Sequence, residues 1–330
     1  MRDNGPVFLY RPGGLGDLLV TLPAIALFRR RFPGIPLHLI AGMRPGELLK
    51  KAGLVDFVHS LDDPAWARLY SDGRASASPD WPGRVTPSAL WSWFLNDPPS
   101  EFGRNGRRFF GGDFRAFVYD AASGVPLSRF FFDQTAAAAG VAGTDAEFAD
   151  CARLPVPEDW RSAGKKIIFD SPPSSAVGPA SPGEIPPFAV IHPGSGGASK
   201  CWPLDRFLEM TVRLAGSGLA GILVTGRAEE RLDAWPAEKA LPPGWRRIHD
   251  PPLEALAGLL SRCAAYLGND SGVTHLAAAA GARVTALFRR PNVPAWRPFG
   301  RSTMLQAPEV AGISVEDVWA VVRRIPDLDG

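Results

Sequence analysis

The stretch Val7-Phe8-Leu9-Tyr10-Arg11-Pro12-Gly13-Gly14-Leu15-Gly16-Asp17 sets the reading of the rest of the chain. Four apolar residues read as a buried strand, and a glycine-rich turn follows. The apolar run after Asp17 then reads as a helix. Strand, glycine turn and helix in that order form the opening unit of a doubly wound parallel sheet. Gly13, Gly14 and Gly16 let backbone come close to a ligand, and the helix start offers free N–H groups. The spacing is not the GxGxxG of a nicotinamide-cofactor fingerprint. Asp17 stands where a carboxylate either caps the helix or is held for chemistry. Pro23 predicts that this helix starts late or kinks.

Working outward, short apolar runs alternate with helical patterns, which predicts parallel sheets covered by helices. In the first half, strands are expected at Val7–Tyr10, Leu37–Ala41, Asp56–Ser60 and Ala116–Asp120. Helices are expected after the first strand, over Gly46–Lys51, near Leu90–Leu95 and over Phe130–Ala139. The stretch from Asp62 to Gly112, rich in Pro, Gly, Trp and Ser, resists assignment. A second series has strands at Phe188–His192, Gly221–Thr225, Arg247–His249, Ala265–Gly268 and Val284–Phe288. Its helices are expected over Pro203–Leu214, Glu229–Trp235, Leu253–Cys263 and Val273–Ala280. Leu253, Leu256, Leu259 and Leu260 fall on one helical face and should be core. These patterns give a first domain over 1–155, a Pro-rich linker over 156–187 and a second domain over 188–312. A last helix over 313–330 opens with the box Ser314 and Asp317 and has the option of packing back on the first domain.

The length of 330 residues fits two domains. A hydrophobic fraction of 45% and a charged fraction of 21% are those of a folded globular chain. The net charge of +2 argues against a nucleic-acid binder. The cluster Arg29-Arg30-Arg31 reads as a helix end favoured by the dipole, or as a contact for an acidic acceptor or membrane surface. Cys151, Cys201 and Cys263 lack CxxC spacing and fit neither a disulfide framework nor a zinc site, which suits a reducing cytosol. No apolar run approaches a membrane span, and Val7–Tyr10 is too short for a signal-peptide core. The chain reads as soluble, with peripheral membrane contact left open.

Two later segments repeat the strand–loop–helix logic. His192-Pro193-Gly194-Ser195-Gly196-Gly197-Ala198-Ser199-Lys200-Cys201-Trp202-Pro203 ends a strand in small residues and sets Lys200 before a helix. Such a loop suits a phosphate, with Lys200 as point charge; the plainer reading is a solvated surface lysine. It is not a P-loop, because Cys follows the Lys. Gly268-Asn269-Asp270-Ser271-Gly272-Val273-Thr274-His275 offers Asp270 and Ser271 as caps and Gly272 for close backbone approach. His275 is either a packed, hydrogen-bonded histidine or a ligand contact. Gly226 and Glu229 add a possible acceptor for nucleotide hydroxyls.

Together and in this order, these segments resemble glycosyltransferase family 9, the bacterial lipopolysaccharide heptosyltransferase family. The family's Gly-Asp opening is matched by Gly16-Asp17-Leu18-Leu19-Val20-Thr21-Leu22-Pro23. His192-Pro193-Gly194 with Lys200-Cys201-Trp202-Pro203, and Asn269-Asp270-Ser271-Gly272-Val273-Thr274-His275-Leu276-Ala277-Ala278, match its middle and late patterns. The resemblance implies an α/β, GT-B type fold: two facing Rossmann-like, doubly wound domains with the active site in the interdomain cleft. It implies an inverting, metal-independent transfer with no cofactor, Asp17 as general base, and Gly13, Gly14 and Gly16 as an acceptor or phosphate loop. Ser195, Gly196, Lys200, Glu229, Asp270, Ser271, Gly272 and His275 correspond to donor contacts. The implied donor is a nucleotide sugar, ADP-heptose by preference. The implied acceptor is a glycan or glycolipid of the cell envelope, reached from the cytoplasmic face of the inner membrane.

This chain departs from the family at Arg289-Arg290-Pro291, where Gly-Pro-Thr is usual. The two arginines either change the donor or add phosphate contacts. Residues 62–149 carry no family pattern, so the acceptor is unread. Competing readings are a nucleotide-sugar epimerase of the same architecture and a non-catalytic nucleotide-sugar-binding protein.

Overall fold

The computed structural model describes residues 5–72, 81, 85, 87–169, 186–226, 241–290 and 293–324. The chain divides into two compact units, Met1–Pro155 and Val156–Gly330. Each is built on its own parallel sheet.

The first sheet contains β1 (Val7–Tyr10), β2 (Leu37–Ala41), β3 (Phe57–Ser60), β4 (Ala89–Phe94) and β5 (Phe114–Val118), in the order β3-β2-β1-β4-β5. All its strand pairs are parallel. The strand order reverses between β1 and β4, and such a switch point opens a crevice at the carboxyl ends of the strands. α1 (Leu15–Arg31) starts there and is buried continuously from Leu18 to Phe28. It begins directly after the glycine turn and runs on through Pro23, so the proline does not delay its start.

The helix expected near Leu90–Leu95 is instead the strand β4, with every residue buried. A short apolar run has no periodicity to separate strand from buried helix, and pairing with β1 and β5 decides it. The unassigned segment also supplies α3 (Ser100–Phe110) and a short turn of helix over Pro64–Tyr70. Its aromatic residues, Trp66, Trp81, Phe94 and Phe102, close over Phe8 and Tyr10 as one core cluster. The remaining helices are α2 (Met43–Lys51), α4 (Leu127–Ala138) and α5 (Asp145–Cys151).

The second sheet contains β6 (Phe188–His192), β7 (Ala220–Thr225), β8 (Trp245–His249), β9 (Ala265–Asn269), β10 (Val284–Arg289) and β11 (Ser302–Ala307). Their order is β11-β10-β9-β6-β7-β8, again all parallel. Counted within the unit this is the strand order of dinucleotide-binding sheets, with the switch point between β6 and β9. β11 was not foreseen: its half-exposed, polar-rich sequence gives little apolar signal. The covering helices are α7 (Leu204–Gly216), α8 (Leu253–Leu260) and α9 (Gly272–Ala279). The four leucines of α8 are all buried.

One expectation about the unit's start is corrected. The supposed linker over 156–187 begins with a helix, α6 (Glu158–Phe169), packed on α8. A Cβ on Gly258 would lie 1.8 Å from the Trp160 carbonyl oxygen, and one on Gly164 would lie 2.3 Å from the Leu259 nitrogen. The two helices therefore meet backbone to backbone, which only glycine at both positions permits. The last helix, α11 (Val315–Val322), packs into the core of the second unit. Val318 and Val322 enter the cluster of Trp202, Phe207 and Leu287. Ser314 caps α11 by accepting from the Asp317 N–H at 3.1 Å, as its box predicts. The helix read at Glu229–Trp235 lies outside the described residues. Among the described residues no helix is long and apolar enough to cross a membrane.

Candidate functional site

In the first unit the site is built around Asp17. Gly14 is the N-cap of α1, and its N–H donates to Asp17 Oδ2 at 2.8 Å. Arg11, at the end of β1 and only 2% exposed, holds the other side. Its Nη2 lies 3.3 Å from Asp17 Oδ1, its Nε reaches the Asp17 carbonyl and Thr21 Oγ1, and its Nη1 donates to the Trp93 carbonyl. Burial pushes the guanidinium down to about 10, against the pull of Asp17, so it stays cationic at neutral pH. Capping and positioning are thus one arrangement. Both carboxylate oxygens accept a hydrogen bond, each keeps a further lone pair, and the side chain is 23% exposed.

Gly13 is fixed by the same geometry. Its φ is +114°, and a Cβ there would fall 2.4 Å from Asp17 Cγ. Gly14 is exposed like Gly13, whereas Gly16 lies inside the first turn of α1.

In the second unit the two motif loops meet at the β6/β9 switch point. Asn269, fully buried at the end of β9, ties them together. Its Nδ2 donates to the Pro193 carbonyl at 2.6 Å, and its Oδ1 accepts from the Trp202 N–H at 3.0 Å. Ser195 Oγ donates to the Asp270 carbonyl at 2.6 Å. His192, on the same loop, donates from Nδ1 to the Val224 carbonyl at 2.9 Å. The indole of Trp202 donates to the Ile313 carbonyl, seating the loop on the core.

Lys200 is not a solvated surface lysine. Its Nζ lies 3.0 Å from Asp270 Oδ2, with Asp270 only 4% exposed, and 5.8 Å from the centre of the Trp296 ring. The cap of α9 is Ser271, which accepts from the Thr274 N–H at 3.3 Å; Asp270 aims the lysine instead. Gly272 opens α9, and Gly196 stands exposed in the neighbouring loop. His275 is buried, with its ring 6.1 Å from that of Trp296. Glu229 lies outside the described residues.

Three participants escaped the sequence reading. Arg11 stood inside the quoted motif, but its inward direction comes from Trp93 and Thr21. Asn269 also stood in a motif, and its role as a tie depends on the loop after β6. Trp296, on the short α10 (Val293–Trp296), had no signal beyond following the unusual arginines. Of those, Arg289 pairs with Glu309 at 3.0 Å, and Arg290 is exposed. Among the described residues no three His, Cys, Asp or Glu side chains are grouped to hold a metal ion.

The sequence model of glycosyltransferase family 9 (heptosyltransferase) matches residues 180–309. Among curated proteins none matches this sequence. By structure the chain is similar to a family 9 glycosyl transferase of Veillonella parvula, with TM-score 0.73, 15% identity, and 99% of this chain and 98% of that one covered. It is also similar to the E. coli ADP-heptose LPS heptosyltransferase II, with TM-score 0.69, 16% identity, and 98% and 99% covered. A third likeness is to the E. coli heptosyltransferase WaaC with ADP, with TM-score 0.61, 15% identity, and 96% and 99% covered. At this identity these likenesses show the fold, two Rossmann-like domains of GT-B type. The match to the family 9 model spans residues 180–309, the segment that holds both loops laced by Asn269.

Proposed function

We propose that this protein transfers a sugar from a nucleotide-activated donor, ADP-heptose by preference, to a hydroxyl of a cell-envelope glycan or glycolipid, with inversion at the anomeric carbon. The observation that carries this reading is the joined pair of loops at the β6/β9 switch point. There a small-residue loop, the start of α9 and a lysine aimed by Asp270 are brought together. That combination suits a diphosphate: N–H groups and a positive end for its oxygens, and Lys200 for charge building on the leaving group.

In this reading the second unit holds the donor. Lys200 leaves Asp270 in part to meet the diphosphate, and Trp296 offers a flat apolar face beside it. Asp17 accepts the proton of the attacking hydroxyl late, once the bond to the leaving diphosphate is largely broken. A carboxylate is a weak base toward a sugar hydroxyl until that stage. Arg11 keeps the carboxylate in register and takes no part in the bonds that change. Stabilisation of the diphosphate needs no metal ion when a lysine and a helix start supply the charge. The heptose donor and envelope acceptor rest on the printed names of the structural relatives, heptosyltransferase II and WaaC.

The test is turnover of Asp17→Asn beside its affinity for an ADP-sugar. A base worth its usual share predicts a loss of about 10² to 10⁴ in kcat with donor affinity kept within a few fold. Near-normal turnover removes Asp17 from that role.

A further inference from the structure

A cavity of about 410 Å³ opens at the edge of the second sheet opposite the loops just described. It lies where β9, β10 and β11 begin, at Ala265, Val284 and Ser302. The donor loops follow the other ends of the parallel strands β6 and β9 in the same sheet. The six residues of β10 separate the two edges by about 16 Å.

Three arginines line the cavity, Arg283, Arg301 and Arg324, and its described lining contains no carboxylate. The backbone holds two of them side by side. The Arg283 carbonyl accepts from the Tyr266 N–H, and the Arg301 carbonyl accepts from the Val284 N–H, each at 2.9 Å. Arg301 Nη2 also donates to the Gly281 carbonyl at 3.0 Å, which anchors its arm and leaves further N–H groups for a ligand. Arg324 closes the third side just after α11.

We propose that this cavity is a second binding site, separate from the donor loops, for a ligand carrying phosphate. Three arginines line this one cavity with no carboxylate in its described lining, and an anion bound there offsets their like charge. The guanidinium fork pairs with phosphate oxygens two at a time. The volume exceeds the needs of orthophosphate and admits a diphosphate or a phosphorylated headgroup. The shared chemistry has two sources, a soluble diphosphate or an anionic lipid headgroup.

The experiment uses the full chain carrying Lys200→Met, so that the donor loops are weakened as a competing anion site. Inorganic pyrophosphate is titrated calorimetrically, and sedimentation is followed with phosphatidylglycerol and phosphatidylcholine vesicles. Both are repeated with Arg283→Gln/Arg324→Gln added, and circular dichroism melts check folding. Binding of pyrophosphate that weakens about tenfold in the arginine variant supports a soluble ligand, the change expected from two exposed charge contacts. Sedimentation with phosphatidylglycerol vesicles alone, lost in the same variant, assigns the site to a headgroup. Binding of neither probe, or binding of equal strength in both proteins, overturns the proposal. If the double variant melts early, Arg301→Gln alone is read by the same criteria.

Discussion

Replacing Asn269 with alanine should uncouple the two loops of the second unit, and the structure fixes how much that costs. The side chain is fully buried and makes two hydrogen bonds, one donated to the Pro193 carbonyl and one accepted from the Trp202 N–H. Alanine removes both partners and leaves a backbone C=O and a backbone N–H inside the protein. Each such orphan costs about 1–3 kcal/mol, so the expected loss is about 2–6 kcal/mol before relaxation. A unit the size of Val156–Gly330 shifts by about 2–4 °C per kcal/mol, so its melting temperature should fall by roughly 5–20 °C. Trp202 is itself buried and attached to the loop, so tryptophan fluorescence during heating reports on the event. ADP-sugar affinity, measured well below the melt, should fall at least tenfold, because the two loops proposed to hold the diphosphate lose their common tie. Asn269→Asp keeps an acceptor for Trp202 but sets an oxygen against the Pro193 carbonyl, and should be no better than alanine. A shift below about 2 °C together with unchanged donor affinity would refute the claim that Asn269 joins the loops.

Other outcomes follow from the same geometry. Gly13→Ala places a Cβ 2.4 Å from Asp17 Cγ at a φ of +114°. The carboxylate must move, and kcat should fall by about 10² with donor affinity retained, as a displacement of the order of 1 Å generally causes; unchanged kcat removes Gly13 from the site. In the first unit His38 Nδ1 and His59 Nε2 lie 2.9 Å apart, stacked beside Phe8. Burial pushes His38 from 6.5 down to about 4, with His59 adding to the shift and Asp56 opposing it; burial lowers His59 too, against Asp63. The unfolded chain therefore binds protons first as pH falls. Stability is full above 6.5 and is lost progressively toward 4, by up to about 3 kcal/mol from His38. Urea melts of wild type and His38→Phe across that range check this, since the variant should lose most of the slope. Finally, dialysis against EDTA should leave turnover within twofold of the untreated enzyme, and recovery only on adding a divalent ion would contradict a charge supply resting on Lys200.

The sequence by itself determined the class of fold, because strand–glycine turn–helix units recur at Val7, Phe188 and Ala265, and alternation of that kind closes only as parallel sheets. It also located the chemistry-bearing segments, since glycines, a capping carboxylate and a lone lysine at strand ends are local features. Only the tertiary structure decided which groups act together. Arg11 turns inward to Asp17 because Trp93 and Thr21 receive it, residues far along the chain or a helical turn away. Lys200 meets Asp270, and Asn269 meets Pro193, because β6 and β9 are neighbours in the sheet although about 75 residues separate the loops. Ala89–Phe94 is a strand because β1 and β5 flank it, and α6 joins the second unit because two glycines let it touch α8. Local sequence fixes what a residue can offer, while the hydrogen-bonded neighbours that give it a direction come from distant parts of the chain.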